Sequence, residues 1–343
     1  MTRSTAEPLF PLPPQPRGVP WPTEHWPRTP LAGPTKARVD EHASALFHLT
    51  PAQGVTYALI VVKSGVVMYE RYSADTNGTY LQYSWSMAKS ITHALVGILV
   101  RDGRLDIHAR AAVPEWQTPG DPRREVTLDQ LLRMSSGLAF VEDYVDSAVS
   151  DVIPMLAATG RHDMGAFAAA KPLAHPPGTF WSYSSGTTNI ICRILRDVVG
   201  DGPTGMLAFM QRELFEPIGM KSPLPKFDTS GTFVGSSYCL AIPQDFARFG
   251  YLYLRDGVWD GRRILPEGWV DYARTCTYHD AEQAYGAHWW LKHGTPWFYA
   301  SGYDGQRTLV APDRDVVIVR CGRTPREEVQ HVWDHVDAIA NAL

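Results

Sequence analysis

Cysteine is scarce in this sequence, and metal-binding patterns are missing altogether. Only four of the 343 residues are cysteines, and they are widely spaced with no C-x-x-C pair. Cys192 falls in a predicted helix and Cys321 in a predicted strand, which favours buried free thiols over a disulfide framework. The twelve histidines show no H-E-x-x-H or comparable spacing, so we predict neither a metal nor another cofactor.

Long apolar runs and an excess of either charge are also lacking. No uninterrupted apolar stretch is long enough to span a membrane, and the N-terminus has no basic segment followed by an apolar one. These absences predict a cytoplasmic protein with no membrane partner. The formal net charge of −4 gives no reason to expect nucleic acid, so a small-molecule partner is expected. Whether the chain forms a homodimer is left open.

What the sequence does contain is a proline-rich start followed by a body with two hairpins. Residues 1–35 hold many prolines, which do not form a helix, and are predicted to form an extended arm. The β-rich runs Tyr57–Val62 and Val66–Tyr72 predict a first hairpin, and Thr308–Ala311 with Val316–Arg320 predict a second. Helices are predicted over Val39–Leu49, Ile91–Val100, Thr127–Met134, Thr188–Val199, Thr204–Phe215, Pro243–Arg255 and Glu327–Leu343.

Strands at both ends of the chain and helices in the middle predict an α+β fold. One antiparallel sheet would be built from both chain ends and covered by helices from both ends, with a mainly helical region inserted between them. The corresponding division assigns residues 36–110 and 236–343 to the sheet region and 111–235 to the helical region. A cleft is expected where the two regions meet.

Ser86 and Lys89 are the strongest candidates for chemistry. They lie three residues apart, between the extended stretch Tyr80–Trp85 and the helix Ile91–Val100. Residues i and i+3 share a helix face, so the spacing places an amine next to a hydroxyl, as a nucleophilic serine requires. The free N–H groups and positive dipole end of a first helical turn lower the pKa of the lysine. Taken alone, the pattern fits equally a serine that merely caps the helix.

Two glycine-containing loops supply further candidates. Tyr183 lies in Trp181–Gly186, just before a predicted helix, and a tyrosine there can transfer protons if a neighbouring cation lowers its pKa from about 10. Alternatively, it packs in the loop and its hydroxyl caps a backbone group. The segment Ala300–Gln306 enters the second hairpin, where its glycines either let a substrate lie along an edge strand or simply form a tight turn.

Together, these groups resemble the class C β-lactamase and penicillin-binding-protein superfamily of serine hydrolases, a related branch of which carries Ser-x-x-Lys and Lys-Thr-Gly elements. Leu131–Leu138 is similar to the superfamily's L-L-x-M-x-S-G-L stretch, and Phe215–Met220 to its F-x-P-L-G-M. Glu142–Tyr144, Tyr183–Ser185 and Gly305–Gln306 resemble the branch of 6-aminohexanoate-dimer hydrolase and family VIII-type carboxylesterases. The resemblance covers most of the chain and implies a β-lactamase-like fold and a serine hydrolase activity.

The resemblance assigns a role to each candidate. Ser86 would be the nucleophile, Lys89 would hold or take its proton, and Tyr183 would be the general acid/base beside them. The backbone N–H groups of Ser86 and Tyr303 would form the oxyanion hole. The substrate-binding positions would be Tyr144, Ser185, Ser301 and Gly302.

Two departures from the superfamily's motifs bear on the substrate. Ser185 stands where β-lactamases have the asparagine of a Tyr-x-Asn motif, and Ala300–Gly302 replaces Lys-Thr-Gly, so the cation that meets a β-lactam carboxylate is missing. We therefore predict hydrolysis of small carboxylic esters, or of amides, through a Ser86 acyl-enzyme. The alternatives are an acyltransferase that uses the same acyl-enzyme, a 6-aminohexanoate-oligomer-type amidase, and a non-catalytic binding protein.

Overall fold

An antiparallel sheet organises the computed structural model, which describes residues 8–281 and 283–343. The strands in this part of the chain are β1 (Val55–Lys63), β2 (Val66–Tyr72), β3 (Leu224–Pro225), β4 (Cys239–Leu240), β5 (Val258–Trp259), β6 (Arg262–Arg263), β7 (Tyr278–His279), β8 (Ala284–Tyr285), β9 (Trp290–Leu291), β10 (Phe298–Gly302), β11 (Gln306–Ala311) and β12 (Val316–Arg323). Eight of them form one sheet in the order β2-β1-β12-β11-β10-β9-β8-β7, while β3 with β4 and β5 with β6 form two small ribbons.

Helices cover this sheet and fill the region inserted into it. The α-helices of the described residues are α1 (Gly33–Phe47), α2 (Ala88–Arg101), α3 (Leu128–Leu132), α4 (Val152–Ala157), α5 (Met164–Ala169), α6 (Ser185–Val199), α7 (Gly202–Met210), α8 (Pro243–Leu254), α9 (Trp269–Arg274) and α10 (Val329–Ala342). Helices α1 and α10 pack together on one face of the sheet, and α8 packs against β1, β11 and β12 on the other.

Alternate side chains of β1 belong to two different hydrophobic cores, one on each face of the sheet. Successive strand residues point to opposite faces of a sheet. Ile60 and Val62 join the core that contains α2 and α8, whereas Leu59 and Val61 join the core that contains α1 and α10. All four side chains are fully buried. A sheet built from both chain ends and buried under helices from both ends confirms the predicted α+β fold.

The helical region lies between the two sheet-forming parts of the chain. Helices α3 to α7 fall within it, and α6 packs against α2, α3, α5 and α7. The two hairpins predicted from the sequence are present as β1–β2 and β11–β12. The division into residues 36–110 and 236–343 on one side and 111–235 on the other stays a prediction.

The described part of the proline-rich arm packs on its own chain. Arg248 on α8 donates through Nε to the Pro22 carbonyl at 2.8 Å, and the Trp259 indole donates to Thr23 Oγ1 at 2.7 Å. The Trp26 ring is buried in the main core. Aromatic anchors and these side-chain bonds therefore hold an extended segment that makes few backbone bonds of its own. Residues 1–7 of the predicted arm lie outside the described residues.

Several predicted elements differ in extent from the observed ones. The stretch Tyr80–Trp85, predicted as extended, is irregular up to Ser84 apart from a single bridge between Gln82 and Ala241, and Trp85 begins a 3-10 turn. Helix α1 begins at Gly33, six residues before the predicted start, because Pro34 is well suited to the first turn of a helix. No helix was predicted between Met134 and Thr188, yet this stretch contains α4 and α5. These helices have only six residues each, too few for a clear apolar period.

Membrane-spanning helices and free cysteines were both considered in the sequence. Within residues 8–281 and 283–343, no helix is both long enough and apolar enough to cross a membrane. Cys192 and Cys321 are free and buried, in α6 and β12, as predicted.

Candidate active site

The residues singled out in the sequence converge where α2 begins. A single 3-10 turn, Trp85–Met87, carries Ser86 and leads directly into α2, which carries Lys89. The loop before α6 brings Tyr183 to Ser86, and the end of β10 brings Gly302 against the same turn. Three segments that are far apart in the sequence therefore meet at one place between the sheet and the helical region.

The turn that carries Ser86 is held by its own backbone. Trp85 has a left-handed backbone with φ of +44°, a conformation that non-glycine residues rarely adopt and that costs of order 1–3 kcal/mol. The Met87 N–H donates to the Ser84 carbonyl at 3.1 Å, and the Cys239 N–H donates to the Ser84 hydroxyl at 2.9 Å. These bonds fix the turn between α2 and β4, and they leave Ser86 half-buried.

Lys89 is a buried amine with three oxygen neighbours. Its Nζ lies 3.2 Å from Ser86 Oγ, 2.9 Å from Ser185 Oγ and 3.0 Å from the Ser236 carbonyl oxygen. Burial disfavours the charged form and lowers the pKa of Lys89 to about 8, although the nearby Glu142 carboxylate acts in the opposite direction. At pH 7 about one lysine in ten is then uncharged and able to accept a proton.

Glu142 anchors the other side of this cluster. One of its oxygens, Oε1, accepts from Ser185 Oγ at 2.5 Å and from the Tyr144 hydroxyl at 2.6 Å, while Oε2 accepts from the Ser185 N–H at 2.8 Å. The Tyr144 hydroxyl also lies 3.4 Å from Ser185 Oγ. Three donors therefore satisfy the carboxylate, and Ser185 is fully buried between Glu142 and Lys89. Its contact with substrate stays a prediction.

Tyr183 closes the cluster above Ser86. Its hydroxyl lies close to the Ser86 side chain, and Lys89 Nζ lies 4.7 Å from the centre of its ring. The Trp290 ring packs against it with centroids 5.3 Å apart. Burial and the Glu142 charge raise the pKa of Tyr183 well above its usual range, so its hydroxyl keeps its hydrogen at neutral pH.

The last residues of β10 lie directly against the Ser86 turn. A Cβ atom added to Gly302 would stand 2.4 Å from the Ser84 carbonyl oxygen and 3.1 Å from Trp85 Cβ. Only glycine allows this approach, because any side chain would collide with the backbone of the turn. Tyr303 follows, with its side chain 48% exposed and its ring edge-on to Trp85. The predicted oxyanion-hole residues Ser86 and Tyr303 are therefore neighbours across this contact.

Ser301, predicted to bind substrate, has different surroundings. In the β10–β11 pairing it stands opposite Arg307. Both residues line a cavity of about 330 Å³ together with Tyr299 and Trp333. A contact between Ser301 and the substrate stays a prediction.

Comparison with known proteins decides the family. The model of the Beta-lactamase family matches residues 48–340, which is most of the chain. The chain belongs to the beta-lactamase family. The superfamily resemblance derived from the motifs is thereby confirmed, and the protein belongs to a superfamily of serine hydrolases.

Relatives of this beta-lactamase-family protein include enzymes with several names. A 6-aminohexanoate-dimer hydrolase from Paenarthrobacter ureafaciens is 23% identical over 303 residues, which cover 80% of this chain and 74% of that protein. A Bacillus anthracis structure provisionally named 6-aminohexanoate-dimer hydrolase has a TM-score of 0.74 at 23% identity, covering 97% of this chain and 90% of its own. The structure of a family VIII carboxylesterase has a TM-score of 0.68 at 16% identity, covering 91% and 99%. These structures show that the fold is shared.

Two polar groups of the beta-lactamase-family site were not assigned from the sequence. Glu142 was noted only as part of a stretch that resembles one branch, and the Ser236 carbonyl carries no sequence signal at all. A carboxylate two residues before a candidate tyrosine was the available hint for Glu142, but its contact with Ser185 spans 43 positions. The fold alone creates that contact.

Proposed function

We propose that this beta-lactamase-family protein is a serine hydrolase that cleaves small carboxylic esters through an acyl-enzyme on Ser86. The observation that supports the proposal is the buried Lys89 amine, with its lowered pKa, 3.2 Å from Ser86 Oγ. A serine hydroxyl is a weak nucleophile unless a neighbouring base removes its proton. Lys89 is the base, and Tyr183 is the acid that serves the leaving group.

The hydrogen bonds around Lys89 direct the lone pair of its neutral form toward Ser86. The Ser236 carbonyl can only accept, and Ser185 gives its hydroxyl hydrogen to Glu142, so both oxygens accept from the amine. These bonds use the two N–H groups of a neutral lysine. Of its three oxygen neighbours, Ser86 alone is then free to donate its hydrogen to the lone pair.

The reaction proceeds in two balanced halves. Ser86 Oγ attacks the ester carbonyl while its proton passes to Lys89 Nζ. The intermediate collapses, the bond to the leaving oxygen breaks, and the alkoxide takes the hydroxyl hydrogen of Tyr183, which recovers a proton from Lys89. Water then attacks the acyl carbon while one of its protons passes to Lys89. The bond to Ser86 Oγ breaks, that proton returns to Oγ, and the carboxylic acid leaves.

Negative charge on the attacked oxygen is stabilised by backbone N–H groups. The residues proposed for this role are Ser86, at the start of the α2 segment, and Tyr303, immediately after Gly302. Loss of one such donor typically costs about 100- to 1000-fold in rate. The close approach of β10 to the Ser86 turn is therefore a requirement of the chemistry and of the packing alike.

An ester is favoured over a β-lactam by the end of β10. Ala300 occupies the position where Lys-Thr-Gly would place a cation, and its methyl group is buried. A β-lactam carboxylate therefore lacks that counter-ion. Amide hydrolysis and acyl transfer would proceed through the same acyl-enzyme, and the P. ureafaciens relative is named a dimer hydrolase. The experiment below therefore tests both reactions as well.

Short-chain p-nitrophenyl esters test the proposal. We expect wild-type protein to release p-nitrophenol and to show, by intact mass during turnover, a transient acyl adduct that maps to the peptide containing Ser86. Added alcohols that divert the acyl group into new esters would identify a transferase, and turnover of the 6-aminohexanoate dimer would identify an amidase. The absence of both turnover and an acyl adduct with all of these substrates would contradict the proposal and support a non-catalytic protein.

Replacing Glu142 with glutamine should shift the pH dependence of turnover. Because Lys89 acts in its neutral form, kcat/KM for wild type should rise with pH through a midpoint near the lysine pKa of about 8. The Glu142 charge raises that pKa, so Glu142→Gln should move the rising limb to lower pH, whatever its effect on kcat. The shift is measured from the pH dependence of kcat/KM in the steady state and of the acylation rate before the steady state. A midpoint that stays in place or moves upward would contradict the role of Lys89 as the base.

Replacing Gly302 with alanine should lower kcat by about 10- to 100-fold, because the new methyl group pushes β10 away from the Ser86 turn by a fraction of an ångström. Gly78→Ala is the matched control, since the nearest atom to its new methyl group is the movable Tyr72 hydroxyl at 3.2 Å. Esterase assays and thermal melts of both variants separate geometry from stability. Wild-type kcat in Gly302→Ala would show that this contact does not set the reaction geometry.

A further inference from the structure

Exposed apolar side chains are concentrated in the chain segments that carry the site residues. Ten large hydrophobic residues of the described chain are exposed, and six of them fall at 80–83, 141–149 and 303. The six are Tyr80, Tyr83, Val141, Val145, Val149 and Tyr303. These places are the approach to the Ser86 turn, the neighbours of Glu142 and the end of β10. A concentration of exposed apolar groups on a protein surface marks a binding site.

Four rings in this patch form a continuous series, which we call the aromatic rim. Tyr83 stacks on Trp85 with centroids 5.4 Å apart, Trp85 meets Tyr303 edge-on at 5.7 Å, and Tyr303 lies 5.6 Å from Tyr144. The Tyr144 hydroxyl lies 3.4 Å from Ser185 Oγ. The rim therefore extends from Tyr83, past the Trp85 ring next to Ser86, to Tyr144. The Ser185 hydroxyl beside Tyr144 in turn contacts Lys89.

The charged groups of the Ser86 cluster are already committed to protein partners. Glu142, the carboxylate beside Tyr144, accepts three hydrogen bonds from protein donors. Lys89 is buried, and Ala300 leaves the end of β10 apolar. The four rings offer apolar faces and edges but no counter-ion. A group bound against them is therefore favoured if it is uncharged.

We propose that the aromatic rim binds a flat, uncharged aromatic ring of the substrate, so that the substrate class is an aryl-bearing ester. The proposal rests on the proposed ester hydrolysis and names its substrate class. A planar ring can stack on one rim residue and meet the edge of the next, as the rim rings do with one another. A saturated ring of the same carbon count buries similar area but lacks these arrangements. The planar ring should therefore bind about 2- to 10-fold more tightly.

Binding to the Ser86→Ala variant tests the rim without any turnover, because the ester stays intact. Two matched pairs of ligands are used: methyl phenylacetate against methyl cyclohexylacetate, and benzyl acetate against cyclohexylmethyl acetate. The first pair places the ring in the acyl half and the second in the alcohol half. Calorimetric Kd values are compared among Ser86→Ala, Ser86→Ala with Tyr83→Ala, and Ser86→Ala with Phe10→Ala. Phe10 is the control because it is a similarly exposed aromatic, at 44%, on the N-terminal arm.

We expect the phenyl ligand to bind at least about twofold more tightly than its cyclohexyl partner in one pair, and that pair shows which half of the ester meets the rim. Tyr83→Ala should remove the preference, and Phe10→Ala should leave it. Equal Kd values within both pairs, or a preference that survives Tyr83→Ala, would overturn the proposal. A preference that holds in Ser86→Ala while wild type cleaves no ester would support the rim and refute the proposed reaction.

Discussion

Ser86→Ala should lose at least about 10³-fold in kcat for a short p-nitrophenyl ester, and no acyl adduct should form. The substitution removes one oxygen atom from a half-buried side chain, so the Trp85 backbone and the Ser84 bonds that hold the turn are kept. Lys89 loses only one of its three oxygen neighbours. The thermal midpoint should therefore stay close to that of wild type while turnover disappears.

Intact mass spectrometry during turnover, together with initial rates, measures this outcome. An adduct that forms at the wild-type rate in Ser86→Ala would assign the nucleophile to another residue. Ser90→Ala is a useful comparison on the same helix, since Ser90 is buried and donates to the His288 carbonyl at 2.8 Å, away from the cluster. It should lose stability while the acyl adduct still forms.

Tyr183→Phe should reduce kcat by about 10²- to 10⁴-fold, the range typical for loss of a positioned general acid. Only a hydroxyl is removed, and the ring keeps its packing against Trp290 and its place beside the Lys89 amine. The effect should depend on the leaving group. An alkyl ester, whose alkoxide needs a proton to depart, should suffer more than a p-nitrophenyl ester, whose phenolate departs unaided.

The ratio of the two losses, measured with ethyl and p-nitrophenyl esters of one acid, is therefore the decisive quantity. Equal losses for both esters would place Tyr183 in positioning Ser86 and not in proton donation to the leaving group. Tyr285→Phe serves as the control, because Tyr285 is a buried tyrosine that packs edge-on against Tyr183 at 6.0 Å. Its loss of a hydroxyl should not discriminate between the two esters.

The sequence predicted the long strands of the sheet better than its short strands at one edge. β1 and β2 were evident because runs such as Val55–Lys63 are long and rich in β-branched residues. The two-residue strands β7 to β9 were not, because they have no room for a period. They exist only through pairing in series, β9 with β10, β8 with β9 and β7 with β8. Long-range pairing, not local propensity, defines that edge of the sheet.

The site shows the same division between local and long-range information. Ser86 and Lys89 could be paired from spacing alone, and the structure places their atoms 3.2 Å apart. Ser185 was predicted to bind substrate from its motif position, but that position gave no sign of its hydrogen bonds with Glu142 and Lys89. No local pattern encodes a contact between residues 142 and 185, so only the folded chain shows how the lysine is oriented.

The pairing of β1 with β12 has a consequence for how the protein is made. Val62 stands opposite Val317, so the hairpin of β1 and β2 cannot complete its sheet until β12, about 250 residues later in the sequence, has left the ribosome. Until then β1 exposes an apolar edge, and loop closure over such a distance is slow. During that interval the nascent chain is a natural client for chaperones. Truncations near the C-terminus should accordingly yield aggregates, whereas the helical middle of the chain can form its contacts early.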